Sequence, residues 1–158
     1  MISDSKNPQS GLASAMAFIA IVVAVGLLIG YMTPPGQWYE GLQKPFFNPP
    51  GWVFGPVWTV LYVLIGIAGW RIWSIAPRST AMMLWGAQMV LNWLWSPAFF
   101  ALQSPALALA IIIAMLALVL LFIVNAWKLD RLAAWLFVPY AAWVSFATAL
   151  NASIVYLN

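Results

Sequence analysis

Five long apolar stretches, almost free of charged residues, divide this chain. They cover about residues 12–32, 53–73, 80–102, 105–127 and 131–156. Each is long enough for an α-helix, at about 1.5 Å per residue, to cross the ~30 Å hydrocarbon core of a bilayer. The sequence therefore predicts an all-α membrane protein: a single domain of five transmembrane helices, preceded by a flexible tail over residues 1–11.

The composition supports this class and excludes several kinds of chemistry. Only 6% of the 158 residues are charged, whereas soluble chains carry about 25%. The chain has no His and no Cys, which excludes zinc sites, histidine bases and thiol chemistry. Asp4, Glu40 and Asp130 are too scattered to form a catalytic carboxylate pair. We expect no metal site, and a net charge of +3 does not indicate nucleic acid as a partner.

Several residues predict where the helices start and bend. Ser79, Ser104 and Asp130 stand directly before apolar stretches and are predicted N-caps. Pro97 and Pro139 lie inside stretches, where the missing N–H is expected to bend the helix.

Basic residues are distributed unequally between the two ends of the predicted helices. The end that carries the loop 33–52 has only Lys44, and the opposite end collects Lys6, Arg71, Arg78, Lys128 and Arg131. The positive-inside rule then places the N-terminus in the cytoplasm and favours a bacterial cell membrane. Arg71 is expected to reach the lipid headgroups from its helix end.

The loop over residues 33–52 is the longest interruption between apolar stretches. From Trp38 to Pro50 it reads WYEGLQKPFFNPP, and its prolines prevent a continuous helix. Irregular backbone at membrane depth is tolerated only where protein covers it or where it lines a cavity. We interpret the loop as a folded lid over a pocket, and the alternative is an aromatic belt at the membrane interface.

Helical spacing places aromatic and amide side chains on shared faces of three stretches. Amide groups are costly in lipid, so these faces should point inward. Alternatively, the amides only bond neighbouring helices and the indoles only fill space, but their convergence beneath a lid favours a ligand cavity. The predicted walls are Trp58, Tyr62, Gln88, Asn92, Trp95, Phe99, Trp143, Ala147 and Asn151.

Such walls favour a flat, polarisable, apolar ligand, because indole and phenol rings stack on planar surfaces. Asn92 and Gln88 offer orienting hydrogen bonds, and Lys44 is a candidate rim cation that would pair with a ligand carboxylate. A tetrapyrrole meets all three conditions, whereas a sterol meets the first only moderately and the last not at all. Without His or Cys as axial ligands, a metal-free porphyrin, or haem held by its faces and edges, fits better than iron-ligated haem.

Three motifs resemble those of the TspO/MBR family, which contains bacterial tryptophan-rich sensory proteins and the mitochondrial translocator protein (peripheral-type benzodiazepine receptor). They are W-Y-x-x-L-x-K-P-x-x-x-P-P at Trp38–Pro50, L-N-W-x-W-x-P at Leu91–Pro97, and V-P-Y-x-x-W within Val138–Asn151. The resemblance extends from the first apolar stretch to about Asn151.

The resemblance implies a five-helix bundle, commonly a homodimer, with a pocket under the first loop. It implies binding of porphyrins such as protoporphyrin IX and, in some members, of cholesterol or benzodiazepine-type drugs. Some bacterial members degrade protoporphyrin in the light, and the residues tied to that reaction match Trp38 and Trp143. The family's binding positions match Trp38, Tyr39, Pro49, Trp58, Asn92, Trp95, Trp143 and Ala147.

One departure from the family concerns sterols. The mitochondrial cholesterol motif needs a Tyr followed by Lys or Arg, whereas Tyr156 is followed only by Leu157 and Asn158. Such motifs are weak patterns, but the departure lowers the expectation of sterol handling. The resemblance also admits an outer membrane as the location.

Together these observations predict a membrane receptor, sensor or transporter that binds porphyrin or another planar apolar molecule and requires no cofactor. One alternative is a light- and oxygen-dependent porphyrin-degrading enzyme that uses Trp38 and Trp143. A second is a sterol- or lipid-binding translocator. A proton-coupled carrier is disfavoured, because such carriers place ionisable residues inside the bilayer and the apolar stretches have none in mid-span.

Overall fold

The computed structural model describes residues 8–158, with side chains from Gly11 onwards, and no strand occurs in that range. A 3₁₀ turn, Gly51–Val53, precedes α3, and a π-helical turn, Pro97–Ala101, follows α4. The α-helices are α1 Pro8–Met32, α2 Gln37–Gly41, α3 Phe54–Ile75, α4 Thr80–Ser96, α5 Pro105–Trp127 and α6 Arg131–Leu157. The all-helical class is therefore confirmed. Of the predicted tail, residues 1–7 lie outside the described residues, and residues 8–11 belong to α1.

Four helical stretches within residues 8–158 are long and apolar enough to cross a membrane: Gly11–Met32, Gly51–Ile75, Pro105–Trp127 and Arg131–Leu157. The predicted stretch 80–102 is not one continuous α-helix. Its α-helical part, α4, has 17 residues, about 26 Å at 1.5 Å per residue, which is short of the ~30 Å hydrocarbon core. Pro97 follows it, and the N–H of Leu102 donates to the Pro97 carbonyl at 2.9 Å, the wide turn of a π-helix.

The five long helices pack side by side in the cyclic order α1, α3, α6, α5, α4, and α4 returns to α1 in a looser contact. A glycine sets the approach of α3 to α1, and two aromatic rings fill the contact between α5 and α6. A Cβ added at Gly66 of α3 would lie 2.8 Å from the Ile19 Cα of α1, so the two backbones touch there. Between α5 and α6, the rings of Phe122 and Phe137 lie 3.9 Å apart and are fully buried.

The capping predictions have mixed outcomes. The Ser79 hydroxyl accepts from the Met82 N–H at 3.2 Å, and the Asp130 carboxylate accepts from the Leu132 N–H at 2.9 Å, so both N-caps are confirmed. Ser104 does occupy the N-cap position of α5, directly before Pro105, but its side chain makes no capping hydrogen bond with the described residues.

Arg71 does not simply extend towards the headgroups, as the sequence suggested. Its Nε donates to the Asp130 carboxylate at 2.7 Å, which ties the end of α3 to the start of α6. Burial works to raise the pKa of the Asp130 carboxyl, but the hydrogen bond and charge of Arg71, together with the N–H groups of Ala133 and Leu132, outweigh burial and lower it.

Candidate functional site

A cavity of about 450 Å³ lies between the helices at the end that carries the loop 33–52. Small-molecule sites in proteins measure ~300–1,000 Å³, so the volume suits a ligand. The wall combines the C-terminal end of α1, the loop, the start of α3, the end of α4 and parts of α5 and α6. Loop residues Pro35, Tyr39, Asn48 and Pro49 close one side.

Most of the predicted wall residues line this one cavity. They come from the loop, α3, α4, the π-helical turn and α6, because the helix ends converge beneath the loop. The predicted residues found there are Tyr39, Pro49, Trp58, Tyr62, Asn92, Trp95, Phe99, Trp143, Ala147 and Asn151.

Trp38 does not line the cavity. It precedes Tyr39 in the short helix α2, and successive helical residues point in different directions. The Trp38 ring meets Phe99 of the π-helical turn edge-on at 5.9 Å. Trp38 therefore anchors the loop against the π-helical turn and lies behind the wall.

Gln88 also lies outside the cavity, one helical turn from Asn92 on the side away from the loop. It is fully buried, and its Oε1 accepts from the Tyr140 hydroxyl at 2.8 Å. Its Nε2 has no partner among the described residues. Gln88 thus belongs to the support beneath the cavity floor and has no direct access to a ligand.

Lys44 is not the rim cation that the sequence suggested. Its ammonium donates to the carbonyls of Glu40 at 3.2 Å and Leu42 at 3.1 Å and lies 4.5 Å from the Tyr39 ring centre. The side chain borders a separate shallow groove with the end of α6. The geometry satisfies the ammonium within its own loop, because its aliphatic stem is long enough to fold back onto the carbonyls.

The floor of the cavity is a buried polar network. The Tyr62 hydroxyl donates to the Asn92 Oδ1 at 3.2 Å, and the Asn92 Nδ2 donates to the Tyr140 hydroxyl at 3.0 Å. Asn92 Nδ2 therefore has one further N–H that donates to no described residue. The network holds α3, α4 and α6 in register, which is the helix-to-helix role that the sequence left as an alternative.

A second amide fixes one aromatic wall. The Trp95 indole N–H donates to the Asn151 Oδ1 at 3.2 Å, and the Asn151 Nδ2 donates to the Pro105 carbonyl at 2.9 Å. Trp95 also stacks on Phe99, with ring centres 5.3 Å apart. These contacts hold the Trp95 ring in one orientation, so this wall is preorganised.

Two wall tryptophans have no such hydrogen bond. The indole nitrogens of Trp93 and Trp143 are buried and have no partner in the described part of the chain. Trp143 meets Phe54 edge-on at 5.8 Å. Both nitrogens have almost no accessible surface, so the two rings border the void through their carbon atoms and not through these N–H groups.

Sequence reasoning missed several lining residues. The Thr33 and Ser96 hydroxyls meet at 2.7 Å where α1 returns to α4, and both residues line the cavity. Nothing in the sequence indicates that these two helices are neighbours. Asn48 lies within the loop motif, where no sequence pattern singles it out. Its side chain accepts a weak hydrogen bond, 3.5 Å long, from the Tyr39 hydroxyl. Burial raises the pKa of Tyr39, against the effect of Asn48, so this phenol stays neutral and can donate.

No metal centre accompanies this cavity: among the described residues, no group of three or more His, Cys, Asp or Glu side chains could hold an ion.

Comparison with known proteins decides the family. A model of the TspO/MBR family matches residues 18–157, a range that contains every residue lining the cavity. The chain belongs to the TspO/MBR family. It is therefore an integral, multi-pass membrane protein, with several helices long and apolar enough to span a bilayer.

Individual members of the TspO/MBR family are similar over most of their length. The tryptophan-rich protein TspO of Archaeoglobus fulgidus is 42% identical over 147 residues, covering 90% of this chain and 95% of the relative. The tryptophan-rich sensory protein of Cereibacter sphaeroides is 37% identical, covering 89% and 90%. The human translocator protein is 34% identical, covering 87% and 85%.

Proposed function

We propose that this TspO/MBR family protein is a membrane receptor, sensor or transporter that binds a porphyrin, or another planar apolar molecule, in the cavity under the loop. The observation that carries the proposal is an aromatic void of about 450 Å³ that side chains of the protein leave unfilled. Indole and phenol rings on its walls suit offset stacking on a planar ligand.

We further propose that α4 and its π-helical turn together form a fifth membrane crossing. α4 packs between α5 and α1 in the bundle, and both neighbours are long enough to cross a membrane. Four described basic residues, Arg71, Arg78, Lys128 and Arg131, lie at the bundle end opposite the loop. By the positive-inside rule, we place that end in the cytoplasm.

Porphyrin degradation receives less support than porphyrin binding. The two tryptophans that the resemblance ties to that reaction are separated, since Trp143 lines the cavity and Trp38 packs behind its wall against Phe99. Of these two tryptophans, a ligand in the cavity would touch only Trp143.

Binding is tested by titrating protoporphyrin IX and following the quenching of tryptophan fluorescence. Ala147 of α6 lines the cavity, whereas Ala149 is exposed on the outer face of the same helix. Ala147→Leu should fill part of the void and weaken binding at least about tenfold, a loss equivalent to about 1.4 kcal/mol. Ala149→Leu adds the same atoms outside and should bind like the unmodified protein.

Both variants keep every tryptophan, so the optical signal is preserved. Equal affinity in the two variants would show that the ligand lies outside this cavity, and the proposal would be wrong. Both proteins should first show the same thermal unfolding, which separates a filled site from a misfolded one.

A further inference from the structure

The turn between α5 and α6 joins two helices that are both long and apolar enough to cross a bilayer. α5 ends at Trp127 and α6 begins at Arg131, so the three residues between them lie where hydrocarbon gives way to water. Two backbone hydrogen bonds close the turn, since the Leu129 and Asp130 N–H groups both donate to the Ala126 carbonyl, at 2.9 and 2.7 Å. The turn therefore holds its side chains firmly at the level of the lipid headgroups.

The positive and negative charges at this turn do not cancel. The Asp130 carboxylate accepts from the Arg71 guanidinium at 2.7 Å and from N–H groups at the start of α6. Lys128 and Arg131, on either side of it, are exposed, and their side chains form no hydrogen bond or ion pair with the described residues. Because Arg71 already neutralises Asp130, the turn keeps two positive charges that face the membrane surface uncompensated.

An aromatic pair supports the Arg131 side chain. Its guanidinium carbon lies 5.9 Å from the centre of the Trp127 ring, which is within the range of a cation–π contact. The Trp127 ring lies 5.7 Å from the ring of Trp135, one helical turn beyond Arg131. Both indoles are exposed, and indole rings favour the depth at which acyl chains meet headgroups. The turn thus combines positive charge with an apolar surface beside it.

The other described basic residues lack this combination. Arg71 pairs with Asp130, and Lys44 donates to two carbonyls of its own loop. Arg78 is exposed in the turn between α3 and α4, at the same end of the bundle, but no described aromatic ring lies against its guanidinium. Arg78 is therefore a matched control for Arg131, with the same charge, the same end of the bundle and no aromatic support.

We propose that the turn between α5 and α6 binds an anionic phospholipid, with Lys128 and Arg131 on the headgroup phosphate and Trp127 and Trp135 against the acyl chains. A lipid fits better than free phosphate, because the site lies between two membrane-crossing helices and only a lipid supplies chains for the indoles to contact. A choline headgroup carries its own cation and gains less from two further positive charges. The site is separate from the cavity under the loop, at the opposite end of the bundle.

Native mass spectrometry of the full chain in an uncharged detergent counts the lipids that stay bound. Dioleoyl phosphatidylglycerol is anionic, whereas dioleoyl phosphatidylcholine has the same acyl chains and no net charge. We expect the first phosphatidylglycerol to bind at least about tenfold more tightly than phosphatidylcholine, because two basic residues attract it. Arg131→Gln should weaken phosphatidylglycerol binding at least about fivefold, the contribution of one basic residue near an anionic surface, and Arg78→Gln less than about twofold.

Equal losses in Arg131→Gln and Arg78→Gln would show that the lipid follows the overall charge of this end, and the proposal would be wrong. Equal affinity of the unmodified protein for the two lipids would overturn it as well. Inorganic phosphate in millimolar excess should not displace the lipid, and displacement would show a site for free phosphate.

Two further variants separate the site from a folding defect. Lys128→Gln changes a side chain that contacts no described aromatic ring or acid, so it should unfold at the same temperature as the unmodified protein and still weaken phosphatidylglycerol binding. Trp127→Leu keeps both charges but removes the ring against Arg131, and it should weaken binding about two- to threefold. Unchanged binding in Lys128→Gln would contradict the proposal even if Arg131→Gln failed to fold.

Discussion

Tryptophan rings occur at both ends of the bundle but pack differently there. At the end away from the loop, the Trp85 ring lies against Gly69 and its indole N–H donates to the Ile65 carbonyl at 3.0 Å. At the loop end, the Trp143 N–H has no described partner and its ring borders a void. One tryptophan fills space and the other encloses it.

Glycine positions explain much of this difference. Gly66 and Gly69 remove side chains where a backbone or an indole must approach closely. Gly30, by contrast, lines the cavity, and an added Cβ would meet no described atom within 4 Å. Tyr62 also lies against a glycine, Gly26, and still lines the cavity. Neither tryptophan content nor glycine contacts alone therefore decide whether a ring borders a void.

The largest expected effect comes from substituting alanine for glycine, once at a crowded position and once at an open one. Gly66→Ala would press a methyl group against the Ile19 backbone, which cannot move aside. We expect a loss of roughly 1–3 kcal/mol, typical of overpacking. Gly30→Ala should be neutral or slightly stabilising, because Ala is the better helix former and the site is open. Thermal unfolding of both variants in the same detergent measures the difference.

If Gly66→Ala unfolds at the same temperature as the unmodified protein, the α1–α3 crossing is looser than the structure indicates. If Gly30→Ala is the more damaging change, the contrast between the two ends is wrong.

The next effect concerns Asp130, at the compact end. Asp130→Ala removes a helix cap worth about 1 kcal/mol and an ion pair that, with Arg71 33% exposed, adds at most ~1 kcal/mol. Asp130→Asn keeps a capping oxygen and loses only the charge, so it should be the milder change. Thermal unfolding at neutral pH should rank the unmodified protein first, Asp130→Asn second and Asp130→Ala last.

The pH dependence of the same variants gives a sharper measurement. The pKa of Asp130 is lowered in the folded protein, so its contribution is present above the unfolded pKa of about 3.9 and disappears as pH falls through the folded pKa. Between pH 6 and pH 3 the unmodified protein should therefore lose more stability than Asp130→Asn. Equal losses would show that the ion pair contributes nothing.

The sequence predicted those features that depend on one helix at a time. Spacing along single helices brought Trp58 and Tyr62, or Trp143 and Ala147, onto the faces that line the cavity. Capping chemistry identified the start of α4 at Ser79 and of α6 at Asp130.

Features that depend on two helices were not predictable in this way. Gln88 shares a face with Asn92, but it lies outside the cavity, and its Oε1 accepts from the Tyr140 hydroxyl of another helix. Thr33 meets Ser96 only because α1 closes the ring against α4. The long side chain of Lys44 folded back onto its own loop, a choice among rotamers that charge patterning does not specify.

The smallest expected effect is at the outer surface of the loop end. The Asn158 side chain accepts from the Gln43 N–H and donates to the Gln43 carbonyl, both at 3.0 Å, which links the loop to the end of α6. These groups are exposed, so Asn158→Ala should change global unfolding by less than ~1 kcal/mol. It should nevertheless speed amide hydrogen exchange in residues 38–47, because local opening needs only these contacts to break.

Asn125→Ala is the matched control, since Asn125 makes an exposed hydrogen bond to the Leu121 carbonyl near the opposite end. Loop exchange that is unchanged in Asn158→Ala, or equally fast in Asn125→Ala, would show that the loop is held by its aromatic contacts with Phe99 and Phe100 alone.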